Sequence, residues 1–274
     1  MDENVTCNYE RGIVAFIDVL GFSNYIKHEH NPEMVNDLFI FMKKIIYLYS
    51  TSKLSGVKIA FFSDSFILTT TNLSAEGLSA MMAATYMIQT HLYSKLKLCA
   101  RGAVTVGNFY NNDNVAFGDG IISAYENEKY AKYARIIITQ DLVNLIGNEL
   151  IEKSLIEKDI DGLYYYNFIY FELVDACREN NKNWNKDIVR DNLSRKRIEI
   201  DFLIRKHINT LYIDKYIWLV TPFNKVCYEI SELLNDKEFE NILIDIKVYN
   251  WWFSIFEGLF KVLELPLMFK PLGC

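Results

Sequence analysis

One acidic residue interrupts the most apolar run in the first part of the chain. Residues 12–20 read GIVAFIDVL, and Asp18 is the only charged residue among them. A nearly continuous apolar run of this length is typical of a strand that is buried on both faces. The run therefore predicts a buried strand that carries a carboxylate close to its C-terminal end.

Strands and helices alternate over the next 120 residues. A helix is predicted after Pro32, a hairpin over 57–71, and a second helix over 74–95 with Ser74 as its N-cap. Further strands are predicted at 100–107, 109–117 and 135–139, with a helix from 118 to 131 before the last of them. The order β-α-ββ-α-β, followed by added strands, is that of a ferredoxin-like palm. We therefore expect the α/β (α+β) fold class.

The second half of the chain has a weaker pattern. It suggests a strand at 163–173 and helices at 187–209 and 231–247. We expect a palm domain over residues 11–143 and a C-terminal α/β extension over 144–274 that supports dimerisation or regulation.

Composition excludes several classes of function. The net charge of −6 and the pI near 5.4 supply no positive field for nucleic acid. Five scattered cysteines without C-x-x-C spacing, and a polar, acidic N-terminus, indicate a cytoplasmic protein without a secretory signal. The apolar tract 251–269 contains charged residues and a proline, so we do not expect it to cross a membrane.

A second aspartate, Asp64, lies at the tip of the predicted hairpin. In a palm the first strand lies beside that hairpin, so the carboxylates of Asp18 and Asp64 should face each other across adjacent strands. Two such charges a few ångströms apart repel by about 4 kcal/mol at an effective dielectric of 20. Hard divalent ions and a bound triphosphate would offset this repulsion. The alternative is that each aspartate is an ordinary cap or turn residue.

Four segments resemble a known family. They are FIDVLGF (16–22), FFSDS (61–65), RGAVTVG (101–107) and FGDGIISAYENEKYAKYARIII (117–138). In order and spacing they resemble the class III nucleotidyl cyclases, and more closely the bacterial pyrimidine cyclases of the Pycsar anti-phage systems. That resemblance implies a cytoplasmic homodimer that uses Mn²⁺, with Mg²⁺ as the other candidate, and makes cyclic UMP or cyclic CMP upon infection. The messenger would then activate a separately encoded effector.

The resemblance also assigns site residues. It implies that Asp18 and Asp64 are catalytic and bind two metal ions, with the backbone carbonyl of Val19 as a further ligand. We expect Arg101, which opens a glycine-containing strand, to be the cation that binds the substrate phosphates. A structural salt bridge is the alternative role for Arg101. Phe16 is a candidate for binding the substrate base.

Three positions depart from the adenylyl and guanylyl cyclases. The family's Asn and Arg on the helix after the Gly-Asp fall on Ile122 and Glu126, and its adenine-binding Lys falls on Ala60. Cyclic AMP and cyclic GMP are therefore not the expected products. The departures leave the phosphate-stabilising cation open, with Lys129 and Lys132 as further candidates.

The resemblance, together with these departures, implies a uridylate cyclase that makes cyclic UMP, a second messenger of antiviral defence. Phe16 or Tyr47 could narrow the pocket around the smaller base. The alternatives are a cytidylate cyclase and a catalytically silent nucleotide-binding regulator. A template-dependent polymerase would need a nucleic-acid groove, which the acidic composition does not supply.

Overall fold

The structure is a computed structural model that describes residues 9–29, 32–51, 56–112, 115–147, 155–179 and 185–245. The chain divides into two compact units, Met1–Asn192 and Leu193–Cys274. The apolar tract 251–269 lies outside the described residues. The predicted division near residue 143 stays a prediction.

The strands belong to the first unit. They are β1 (Glu10–Leu20), β2 (Lys58–Phe62), β3 (Ser65–Thr70), β4 (Cys99–Asn112), β5 (Val115–Phe117), β6 (Ile136–Ile138), β7 (Ile156–Lys158) and β8 (Tyr164–Tyr166).

The helices connect these strands and continue into the second unit. In the first unit they are α1 (Phe22–Asn24) with a π-helical turn (Tyr25–Glu29), α2 (Pro32–Thr51), α3 (Ala75–His91) with a π-helical turn (Leu92–Leu96), α4 (Asp119–Ala131), α5 (Gln140–Ile146) and α6 (Phe168–Glu179). The boundary between the units falls within α7 (Lys186–His207). The second unit adds α8 (Ile213–Ile217), α9 (Val220–Leu234) and a 3₁₀ helix (Lys237–Ile242).

The sheet confirms the predicted palm. Its described strands follow the order β2-β3-β1-β4-β6-β8-β7, and β5 pairs with β4 outside this path. The β1, β3 and β4 pairs are antiparallel, whereas β6 lies parallel to β4 after the crossover through α4. Four strands in the order 2-3-1-4, with β-α-ββ-α-β connections, form the ferredoxin-like core, and β6 to β8 extend it.

Helix α4 covers one face of the central strands. Val14, Phe109, Ile121 and Ala124 form a buried cluster between the helix and the sheet. Because successive residues of a strand point to opposite faces, Ile13 and its alternate neighbours in β1 point away from α4. Helix α3 also packs against β1, and its predicted N-cap is confirmed, since Ser74 accepts a hydrogen bond from the Glu76 backbone N–H.

Two sequence-based predictions in the second half were wrong in extent. The predicted strand at 163–173 ends at Tyr166, because Asn167 starts a helix by accepting a hydrogen bond from the Tyr170 N–H at 3.1 Å. The predicted helix at 231–247 begins earlier, at Val220, and ends at Leu234. Asn235 stops it in the left-handed conformation that often ends helices (φ 47°). The helix predicted at 187–209 is confirmed as α7.

No helix among the described residues combines the length and apolarity needed to span a bilayer.

Candidate functional site

Asp18 lies in the middle of the sheet. It stands opposite Ser65 of β3 on one side and opposite Arg101 of β4 on the other. By strand alternation it shares the face of Val14 and Phe16, which α4 covers. Its side chain keeps 22% exposure, so it remains accessible to a small ligand.

Asp64 occupies the two-residue turn between β2 and β3. The preceding residue, Ser63, has a φ of 58°, and a positive φ at the first turn position matches a tight hairpin turn. The backbone N–H of Val19 donates to the Asp64 carbonyl at 2.9 Å. Asp64 therefore lies one register step from Asp18, on the neighbouring strand connection. Since it belongs to the turn, strand alternation does not fix the direction of its side chain.

The backbone carbonyl of Val19 points toward the same hairpin. In a hydrogen-bonded antiparallel pair the two residues normally exchange both N–H···O bonds. Here, among the described residues, the Asp64 N–H does not return a bond to the Val19 carbonyl. The C-terminal end of β1 and the β2–β3 turn thus contain two kinds of oxygen, the carboxylates of Asp18 and Asp64 and the carbonyl of Val19, and such oxygens suit hard divalent cations. Within the described chain, this region included, no group of three or more His, Cys, Asp or Glu side chains is arranged to hold a metal.

Arg101 contacts two carboxylates. Its Nε lies 3.4 Å from Oδ2 of Asp18 and in ion-pair contact with Oε1 of Glu128 on α4. A structural salt bridge was the alternative to phosphate binding that the sequence left open for Arg101. These contacts place the guanidinium directly beside one of the predicted metal ligands.

Glu128 is the residue that sequence reasoning missed. It follows Ile121 and Ala124 on the buried side of α4 and precedes Ala131 on the same side. An acidic residue at a core-facing position of a helical pattern was the available signal, because a buried carboxylate needs a partner.

The predicted base-binding residue Phe16 packs edge-to-face against Tyr125 of α4, with ring centroids 5.3 Å apart. Phe16 is half-buried and lies two residues before Asp18 on the same face. Tyr47 lies elsewhere, exposed on α2, which packs along β2.

The outer side of α4 carries Ile122 and Glu126, two of the three positions that depart from the adenylyl and guanylyl cyclases. Ile122 is 58% exposed, Tyr125 is 60% exposed, and Glu126 is also exposed. Lys129 is exposed and lies over the ring of Tyr130, 5.2 Å from its centroid. Lys132 follows the end of α4 and is also exposed. Within the described chain, neither lysine forms an ion pair with Asp18 or Asp64.

The start of α4 is tied to β4. The Asp119 carboxylate accepts hydrogen bonds from the backbone N–H of Asn108 at 2.7 Å and from its Nδ2 at 3.0 Å. These bonds, the side-chain one first, lower the pKa of Asp119 below its ordinary value. The Asp119 backbone N–H donates to the Tyr9 hydroxyl at 2.9 Å. The Gly-Asp-Gly segment thus fixes where α4 begins.

No protein-family model matches the sequence, and a search of curated proteins gives no match. Several solved structures are similar. The adenylyl cyclase CyaB from P. aeruginosa shares 15% identity at a TM-score of 0.44, covering 59% of this chain and 95% of that one. The guanylyl cyclase domain of the RhoGC fusion protein from the aquatic fungus Blastocladiella emersonii shares 16% identity at a TM-score of 0.42, covering 57% and 94%. A class III adenylyl cyclase-like ATP-binding protein from Pseudomonas aeruginosa shares 11% identity at a TM-score of 0.42, covering 53% and 36%.

Proposed function

We propose that the chain is a pyrimidine nucleotide cyclase that converts UTP into 3′,5′-cyclic UMP and pyrophosphate by two-metal catalysis. The observation that carries the proposal is the juxtaposition of Asp18 and Val19, at the C-terminal end of β1, with Asp64 in the β2–β3 turn. There, the backbone hydrogen bond from Val19 to Asp64 places the two aspartates within one register step of each other, and the Val19 carbonyl receives no bond from the Asp64 N–H. This juxtaposition fits the metal-binding pattern that the sequence resemblance implies.

The reaction needs one new bond and one broken bond. The ribose 3′-oxygen bonds to the α-phosphorus, the α–β bridging P–O bond breaks, pyrophosphate leaves, and the hydroxyl proton passes to solvent. Two divalent ions, Mn²⁺ or Mg²⁺, would neutralise the triphosphate and lower the pKa of the 3′-hydroxyl. Asp18, Asp64 and the Val19 carbonyl would hold these ions. Arg101, next to Asp18, would bind the phosphate oxygens through its remaining N–H groups.

A pyrimidine base is favoured by what the site lacks. Ala60, on β2 opposite Ile67, has no donor for a purine ring nitrogen. A purine would leave polar edges without partners in a desolvated pocket, at about 1–3 kcal/mol for each group. The ring of Phe16, held against Tyr125, provides an aromatic surface near Asp18 for a smaller base. The preference for UTP over CTP rests on the resemblance, and cytidylate cyclase is the second candidate.

The wider role also follows from the resemblance. The enzyme would act in the cytoplasm as a homodimer, and its cyclic nucleotide would activate a separately encoded effector in antiviral defence. Neither nucleic acid nor membrane is part of this proposal.

The decisive experiment incubates the protein with equal concentrations of the four ribonucleoside triphosphates and Mn²⁺, without template, and identifies the products by mass spectrometry. We expect cyclic UMP to dominate, with equimolar pyrophosphate, and a chelator to abolish it. Cyclic CMP as the main product would support the cytidylate alternative.

The other outcomes have distinct meanings. If cyclic AMP or cyclic GMP is the main product, the pyrimidine assignment is contradicted, but the proposal that the protein is a nucleotide cyclase stands. Nucleotide binding without release of pyrophosphate would identify a silent regulator.

A further inference from the structure

Glu128 is a buried carboxylate on the side of α4 that faces the sheet. Its side chain is 8% exposed, and its neighbours along that side, Ala124 and Ala131, are inaccessible to solvent. A carboxylate is rarely buried to this extent without a compensating positive charge. Arg101 supplies that charge, and both contacting atoms, Nε of Arg101 and Oε1 of Glu128, are buried.

The same Arg101 nitrogen also lies 3.4 Å from Oδ2 of Asp18. It is therefore placed between a carboxylate of the candidate metal site and a carboxylate of α4. Asp18 is 22% exposed, and its attraction for the guanidinium is weakened more by water than that of the less exposed Glu128. Glu128 is also in closer contact. Glu128, rather than Asp18, is the principal counter-charge of Arg101.

We infer that Glu128 is a positioning residue that neutralises and fixes Arg101, so that the Asp18 carboxylate stays available to a divalent cation. The inference rests on the proposed function. Without the Glu128 charge, the guanidinium would have Asp18 as its nearby counter-charge. Arg101 would then compete with the metal for that carboxylate, because a cation at this distance opposes the binding of another.

Binding of Mn²⁺ to the full chain in the absence of nucleotide tests this inference, measured by electron paramagnetic resonance of free Mn²⁺. The substitution Glu128→Gln keeps the side-chain shape and removes the charge. We expect it to raise the dissociation constant for Mn²⁺ about tenfold, at the lower end of the range found when groups that support metal ligands are lost.

Arg101→Gln should not raise the dissociation constant for Mn²⁺, in contrast to Glu128→Gln. It removes the competing cation, so Mn²⁺ should bind at least as tightly as in the wild type, although cyclisation is lost. The double variant Arg101→Gln/Glu128→Gln should bind Mn²⁺ like Arg101→Gln alone, because Glu128 acts through Arg101. An equally large effect of Glu128→Gln in both backgrounds would overturn the inference.

The matched control is Glu126→Gln, which removes the same charge from the exposed side of the same helix. It should leave Mn²⁺ binding unchanged. If Glu128 serves only the fold, the Glu128→Gln variant will have a lower melting temperature but an unchanged affinity for Mn²⁺. That result would overturn the inference. If Glu128→Gln does not fold, Glu128→Asp withdraws the carboxylate by one methylene and should weaken Mn²⁺ binding several-fold; unchanged binding would again overturn the inference.

Failure of the inference is distinguishable from failure of the proposed function. Wild-type protein that binds Mn²⁺ and forms a cyclic nucleotide, with unaltered Mn²⁺ affinity in Glu128→Gln, overturns the inference alone. Wild-type protein that neither binds Mn²⁺ nor forms a cyclic nucleotide overturns both.

Discussion

Among the single residues of the site, Asp64 gives the clearest test of two-metal catalysis. It lies in a turn, and its backbone carbonyl, rather than its side chain, makes the bond to Val19. Asp64→Ala should therefore keep the fold and remove a metal ligand. We expect a loss of cyclisation on the order of a thousandfold, about 4 kcal/mol of transition-state stabilisation. Product formation and a thermal melt are the two measurements.

Asp18→Ala should lose as much activity, but it also removes a carboxylate from beside Arg101. Its melting temperature is therefore the less certain guide to an intact fold, and Asp64→Ala carries the test. Asp141→Ala, an exposed aspartate in the first turn of α5, is the control and should keep full activity. Turnover near the wild-type rate in folded Asp64→Ala would refute the two-metal reading.

Sequence patterns located the individual site residues unevenly. The backbone positions of Asp18 and Asp64 on β1 and in the β2–β3 turn could be predicted, because each interrupts or joins apolar β-runs. Their role as metal ligands stays a prediction. The role of Glu128 could not be predicted, because pairing with Arg101 depends on the packing of α4 over β4, which no local pattern encodes. Of the two aromatic candidates, Phe16 packs against Tyr125 of α4, whereas Tyr47 lies on α2.

The crossover of α4 on β4 depends on two glycines. A Cβ at Gly107 would lie 2.4 Å from the Cα of Gly120, a backbone atom that cannot move without shifting the helix. Gly107→Ala should lower the free energy of unfolding by about 3 kcal/mol, the upper part of the usual cost of overpacking. Chemical denaturation measures the change. Activity should fall as well, because α4 carries Glu128.

Gly162→Ala separates backbone strain from this clash. Gly162 has a φ of 85°, and a Cβ there would meet nothing within 4 Å, so the cost should be that of a left-handed alanine, about 1 kcal/mol. Equal losses for the two variants would show that close approach of α4 to β4 is not what Gly107 provides.

At the scale of elements, most of the palm could be predicted and parts of the second half could not. The β1 run, the hairpin at β2 and β3, and the Ser74 cap carry strong local signals. The sequence analysis missed the boundary between β8 and α6. The aromatic and apolar residues continue on both sides of Asn167, so the hydrophobic pattern does not show that a strand ends and a helix begins there. Similarly, Asn235 ends α9 through its backbone conformation rather than through a change in hydrophobicity.

For the whole molecule, the question is where a second copy of the chain would bind. One group of exposed apolar side chains lies just before and along the outer side of α4. Val115 and Phe117 of β5 are 53% and 48% exposed, and Ile122 and Tyr125 of α4 are 58% and 60% exposed. The proposed homodimer needs a surface of this kind, because stable interfaces bury about 800 Å² on each partner around an apolar centre.

We predict that Ile122→Asp raises the dimer dissociation constant at least a hundredfold, because a desolvated carboxylate without a partner would lie within the apolar contact. Analytical ultracentrifugation over a range of concentrations measures this change. Cyclisation should fall in parallel, because the proposed enzyme acts as a homodimer. The control is Leu211→Asp, at an 83% exposed position of the second unit, which should leave dimerisation and activity unchanged. Loss of the dimer in Leu211→Asp but not in Ile122→Asp would place the interface in the C-terminal extension, and an active monomer would show that cyclisation does not need the dimer.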